Sequence, residues 1–397
     1  MIMDTSPSTP SMMLTLDRQI GQKAWFRCCM AAVLMWAACE FLGIAKGMAT
    51  EGHQDTRMGI QRMEVGQSGW TALMEAAAQG NLVAVQNLLT KKSNVNAQAI
   101  NGSTALRAAT YYGHGDVVNA LLMHGADVNL PDKTGRTALS DAVLEGRVAI
   151  ASLLLEKGAD PNVKTAFGEP LLTRATTQSD EDLVRALLDH GADPNVQVEG
   201  HSTPLIAAVL QERQNIISTL LEKGANSRAT DRDGKSALLL AAENGLTSIV
   251  HLLLKKGTHP DQQDTFGNSA LILAAKHAHA PVVEALLKNG ADVHITNKSG
   301  ETAFLVSARS SAVAVMNILL QNGASANEKT LADTTALMIA AENGRLDVVQ
   351  RLIKTGADID AVDAEGNTAD VFADWEGHSE IVKVLLQQKT SRAPQGL

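Results

Sequence analysis

A chain of 397 residues would ordinarily divide into two or three globular cores. Its 45% hydrophobic content comes with only 3% aromatics, which points instead to many thin layers of Ala, Leu, Val, Ile and Met. The formal net charge of −9 offers no basic face to nucleic acid, and so large an apolar share excludes a disordered chain.

All three cysteines (Cys28, Cys29 and Cys39) lie near the start, so the rest of the chain has no disulfide framework, cysteine zinc site or thiol nucleophile. Residues 28–39, CCMAAVLMWAAC, form an apolar run preceded by Lys23 and Arg27 and closed by Glu40. A membrane-spanning helix needs about 20 apolar residues and a secretory core about 7–15. The run therefore predicts a signal-like or anchor segment over residues 1–49, with Gly47-Met48-Ala49 offering small residues to a signal peptidase. The leader ahead of the run is long, and translation from Met12 or Met13 would trim it. Trp36 to Cys39 also resembles a bacterial lipobox, with Trp36 where Leu is expected. Continued through Phe41 to Ala45, the run could instead be an uncleaved anchor, or only an apolar helix. The expectation is export to the periplasm or beyond, with a membrane tether through this segment as the alternative. A cytoplasmic location follows if it is no signal. Residues 50–65 read as a polar connector.

The chain then keeps a 33-residue period. Thr71, Thr104, Thr137, Thr203, Ser236, Ser269, Thr302, Thr335 and Thr368 fall on one grid, with Pro170 in the remaining slot. Two residues after each grid point stands Leu, with Phe304 and Asp370 as exceptions; five after stands Ala, with Ser307 as the exception. The hydroxyl reads as a helix N-cap, and the Ala as the point where helices approach closely. Glycines two before the cap, such as Gly102, suit a tight turn. A second helix follows in each unit, as Val117, Val118, Leu121 and Leu122 show by their helical spacing, and it ends at a glycine such as Gly125.

The period and this pattern of residues resemble the ankyrin repeat. The resemblance covers residues 66–391 as ten units, leaving 392–397 as a tail. It implies an all-α repeat solenoid, each unit a helix–turn–helix plus a β-hairpin loop. Departures fall in repeat 4 (Pro170, Ser179), repeat 5 (His201, Glu212) and repeat 8 (Ser307, Ser311). In repeat 10, Asp370 and Asp374 replace apolar residues, as expected of an end cap facing water.

The resemblance further implies a protein partner on a concave face made of hairpin tips and first-helix ends. These positions lie one, three and four before the cap and seven and eight after it. The only tyrosines, Tyr111 and Tyr112, fall on the last two, and the same grid adds Trp70, Ile100, Leu144 and Phe167, with Lys133 and Arg136 interleaved. Aromatics and Arg dominate interface hot spots, so repeats 1 to 4 are the expected binding surface. Plain packing is the other reading: Trp70 could shield the open end of repeat 1, and Phe167 and Phe266 could be ordinary tip residues. Trp375 suits the C-terminal cap. Arg232, Asp233, Lys235, Glu243 and Lys276 read as a solvated charged face.

No catalytic motif is present. His277 and His279 lack a third ligand near in sequence, and the recurrent Asp and His residues recur because the unit does. The expectation is a binding scaffold, not an enzyme, with no cofactor, metal or small-molecule substrate. A delivered effector and a membrane-tethered assembly module are its alternatives.

Overall fold

The structure, a computed structural model, describes residues 69–197, 203–310 and 312–392, all within the unit that begins at Gly69. The signal-like segment, the connector, His201, Ser311 and residues 393–397 lie outside the described residues. Among the described residues, twenty helices form ten consecutive pairs. The first five pairs are α1 (Ala72–Ala78) and α2 (Leu82–Thr90), α3 (Ala105–Tyr112) and α4 (Gly115–Met123), α5 (Ala138–Leu144) and α6 (Val148–Glu156), α7 (Leu171–Thr177) and α8 (Glu181–Asp189), α9 (Pro204–Leu210) and α10 (Gln214–Glu222). The other five are α11 (Ala237–Glu243) and α12 (Thr247–Lys255), α13 (Ala270–Lys276) and α14 (Ala280–Lys288), α15 (Ala303–Ser307) and α16 (Val313–Gln321), α17 (Ala336–Glu342) and α18 (Leu346–Lys354), α19 (Ala369–Trp375) and α20 (Ser379–Arg392).

Helix starts follow from the hydroxyl column. Thr71, Thr104, Thr137, Thr203, Ser269, Thr302 and Thr335 each accept the N–H three residues on, satisfying a donor that the helix itself leaves orphaned. Two expected caps do not work this way. Thr368 turns its hydroxyl to donate to Asp370 Oδ1 at 2.7 Å, a charged acceptor that outcompetes the capping geometry. Ser236 makes no side-chain cap, its buried Oγ has no partner, and nothing in the structure explains it.

Helix ends follow from the glycines. At the end of α4, Gly125 N–H donates to Leu122 O at 3.1 Å and Ala126 N–H to Leu121 O at 3.0 Å, with Gly125 left-handed at φ 81°. Where glycine is absent the backbone does not change: Ser179, Glu212 and also Ala278 hold φ of 61°, 56° and 60°. A left-handed L-residue costs about 1–2 kcal/mol, so these turns carry strain.

The expected β-hairpins are reduced to single bridges, such as Lys164 with Pro170 and Gln263 with Ser269. Side chains replace the missing ladder. At one tip Asp132 Oδ1 accepts from the N–H groups of Thr134 and Arg136 at 2.8 and 3.0 Å. Successive tips also join through backbone, as in Lys133 N–H to Asn101 O at 3.1 Å. That approach explains Gly102, where a Cβ would lie 2.7 Å from the Lys133 nitrogen.

One continuous apolar cluster runs from Leu73 to Leu385, which is how a thin array acquires a core. The alanine column is buried at its centre, and Ser307 fits there because its hydroxyl donates to Phe304 O at 2.7 Å. Its helix, α15, is shortened to five residues. At the end of the array Asp374 is exposed. Asp370, in contrast, is half-buried because Lys389 reaches back to it at 2.7 Å.

A second set of cross-links was not anticipated. The Nδ2 groups of Asn96, Asn129, Asn162 and Asn195 donate to the carbonyls of Gly125, Gly158, Gly191 and Gly224. Their Oδ1 atoms accept the N–H of Asp127, Asp160, Asp193 and Asn226. The two-pronged ladder thus ties repeats 1 to 5. Arg228 takes the next Asn position and leaves it unextended.

Candidate partner-binding face

First-helix ends and hairpin tips place the expected residues as follows. Tyr111 and Tyr112, the last two residues of α3, meet edge to face with ring centroids 5.3 Å apart. Tyr112 is 41% exposed and also stacks on His114 at 6.4 Å. Burial raises the Tyr111 pKa, helped by Glu145, Tyr112 and Asp141 and opposed by Arg136, so Arg136 and Glu145 both bear on this pair. Leu144 is half-buried at the end of α5. Ile100, Lys133 and Phe167 stand on the tips; Phe167 is 96% exposed and Ile100 61%, and Lys133 is exposed. Ile100 is not wholly free for a partner, since its side chain lies over Gly69. Trp70 packs half-buried against the core at repeat 1.

Beneath the tyrosines lies an ionic cluster that sequence reasoning missed. Arg107 is 5% exposed and comes from the buried face of α3. Its Nη1 reaches Asp132 Oδ2 at 2.6 Å, and its Nη2 reaches Asp141 Oδ2 at 2.7 Å. Arg136 shares Asp132 Oδ2 through Nε and Nη2, both at 3.1 Å. Two guanidinium groups and two carboxylates therefore close on themselves, as buried charges must. Burial works to raise Asp132, but the Thr134 hydroxyl, the Arg136 N–H and Arg107 outweigh it and hold its pKa down at about 2. For Asp141 burial prevails over the pull of Arg107 and raises its pKa. One signal was available: Arg107 stands in a column otherwise occupied by uncharged residues such as Met74, Ile206, Leu239 and Met338.

The face changes character along the array. Seven residues after the cap, repeats 1 to 5 carry Ala78, Tyr111, Leu144, Thr177 and Leu210, and repeats 6 to 9 carry Glu243, Lys276, Arg309 and Glu342. Several charges of the second group are already matched. Lys235 pairs with Glu243 at 2.6 Å and Arg309 with Glu301 at 2.9 Å. The middle of the face is therefore partly self-paired rather than simply solvated, although Lys276 is exposed.

His277 and His279 stack with ring centroids 6.0 Å apart. His279 Nε2 bonds to Glu243 O at 3.0 Å, as His114 does to Ala78 O at 3.0 Å and His378 to Glu342 O at 3.1 Å. This column links one repeat to the turn of the previous one. Burial lowers the His277 pKa. Among the described residues, no three His, Cys, Asp or Glu groups gather as metal ligands.

A family model described as ankyrin repeats (3 copies) matches residues 34–132, 73–165, 153–231, 172–264, 238–330 and 326–393. No curated protein matches the chain. With nine-tenths of its length matched and a helix pair in every 33-residue period, the chain belongs to the ankyrin-repeat family.

Proposed function

We propose that this chain is a non-catalytic scaffold that binds a protein partner on the hairpin-tip and first-helix-end face of repeats 1 to 4. Ankyrin repeats generally mediate protein–protein interaction, and the site has to be argued from side chains. The observation that carries it is the Tyr111–Tyr112 pair, held beside Arg136 in the half of the face where the position seven residues after the cap is uncharged. Aromatic side chains bury large contact area with little loss of side-chain entropy. Pull-down with the repeat-bearing chain, comparing wild type with Tyr111→Ala/Tyr112→Ala, tests the surface. Loss of the partner is expected, and unchanged recovery overturns the assignment.

Export is part of the same reading, supported by the short apolar run ahead of Gly47-Met48-Ala49. Mass spectrometry of the purified native protein is expected to give a mature N-terminus shortly after Ala49. An acylated Cys39 would instead make it a tethered module, and an uncut leader would overturn export. Among the described residues, no helix is long and apolar enough to cross a membrane.

A further inference from the structure

The inner layer of first helices has two chemistries. Helices α11, α13 and α17 each bury six consecutive apolar residues, for example Ala237 to Ala242. Helices α3, α5 and α7 each bury two polar ones: Arg107 and Thr110, Ser140 and Asp141, Thr173 and Thr176. The polar replacements are imperfectly served. Thr110 Oγ1 and the Nε of Arg174, on α7, are buried without a hydrogen-bond partner, as Ser236 Oγ and Thr258 Oγ1 are in repeat 6, whereas Thr176 and Ser140 are hydrogen-bonded. Helix α7 starts at Pro170 without a hydroxyl cap and runs into the left-handed Ser179.

The polar inner layer itself acts in one direction. A buried hydroxyl replaces an aliphatic group that would have left water, and an unpartnered one adds its own desolvation cost. An ion cluster recovers its desolvation less fully than apolar packing of the same volume. The asparagine ladder opposes this, but its bonds lie in exposed loops and exchange readily with water. In a linear array local stability is the sum of unit and neighbour terms, so a run of weak units opens without the rest.

We propose that repeats 2 to 4 form a low-stability segment that opens as a unit while repeats 6, 7 and 9 stay folded. The segment is set by its polar inner layer and does not depend on where a partner binds. Should the tyrosine surface prove to be the binding site, a partner there would close the segment as it bound, coupling recognition to ordering.

Hydrogen exchange of the full chain, read by mass spectrometry under native conditions, tests this. Amides of α3, α5 and α7 are expected to exchange at least tenfold faster than those of α11, α13 and α17. The variant Arg107→Met/Thr110→Val/Asp141→Ala supplies residue types used elsewhere in the array. It is expected to slow exchange in α3 and α5 at least tenfold and to leave α11 and α13 unchanged. Equal or slower exchange in α3, α5 and α7 of the wild type would overturn the proposal, as would a folded variant with no slowing. If the triple variant does not fold, Thr110→Val alone makes the same comparison within α3, and failure to slow exchange there counts equally against the idea.

Discussion

Arg107 Nη1 lies 2.6 Å from Asp132 Oδ2 with both side chains buried, and the contact joins the first helix of one repeat to the hairpin of the next. Removing one member of such a cluster strands the others. Arg107→Met is expected to lower stability by about 3 kcal/mol, because Asp132 and Asp141 remain in water-poor surroundings. Adding Asp141→Ala should bring the protein back to within about 1 kcal/mol of wild type, since an apolar pair needs no counter-charge. Urea unfolding midpoints decide this, and a double variant no better than the single one would contradict it.

The two aspartates predict opposite pH behaviour. Asp132 titrates at about 2 when folded and near 3.9 when unfolded. Its contribution, on the order of 2 kcal/mol, is complete above the unfolded value and lost as pH falls from about 4 toward 2. Asp141 is raised by burial, so the folded state takes up its proton more readily than the unfolded chain does. That term favours the fold in acid and fades as pH rises through the folded value. Thermal melts of wild type should therefore fall in Tm between pH 4 and 2, with a shallower fall in Asp132→Asn. Equal acid slopes would remove Asp132 from the account.

Two single substitutions should stabilise. Thr110→Val removes a buried hydroxyl without a partner and is expected to gain about 1 kcal/mol. Ala278→Gly relieves a left-handed alanine at φ 60° and is expected to gain up to about 1 kcal/mol, offset in part by the freer unfolded chain. Denaturation midpoints should rise in both; a fall in the second would mean that Ala278 packing outweighs its strain.

The asparagine ladder should matter only where it exists. Asn162→Ala removes bonds to Gly191 O and from Asp193 N–H and, since both are exposed to water, should cost no more than about 1 kcal/mol. Arg228→Asn, which supplies the next rung, is expected to gain up to about 1 kcal/mol on the same scale. A comparison of melting curves would show both, and a neutral Asn162→Ala would reduce the ladder to decoration.

What could be read in advance was chemistry confined to one column. Hydroxyl caps, end glycines and the close-packed alanines each act at a fixed spacing, so the period exposed them, and the turns at Ser179 and Glu212 were visible as missing glycines. Two columns misled: Thr368 found a nearer acceptor in Asp370, and Asp370 itself is drawn in by Lys389. The clamp at Arg107 was out of reach because its partners stand 25 and 34 residues away in two different columns. The asparagines looked like turn residues in a repeated string, and nothing local shows that they reach the following unit. Ala278 stands in the same column as Ser179 and Glu212 and is equally legible there as a missing glycine. On the candidate face, the tyrosine pair was legible from its grid positions, whereas the self-pairing of Lys235 with Glu243 needed the folded chain.

The cross-links between units have a consequence for how this protein can change in length. Asparagine rungs span 29 and 31 residues, glutamine bridges 33 and the histidine links 36, so each reaches from one unit only to the next. Excising or duplicating a whole 33-residue unit among repeats 2 to 4 would restore every rung of the ladder with an equivalent residue. Removing a fraction of a unit would break every link that crosses the cut. The array is thus tolerant to gain and loss by the unit and intolerant between units, a ratchet that preserves register while leaving the number of repeats free to drift.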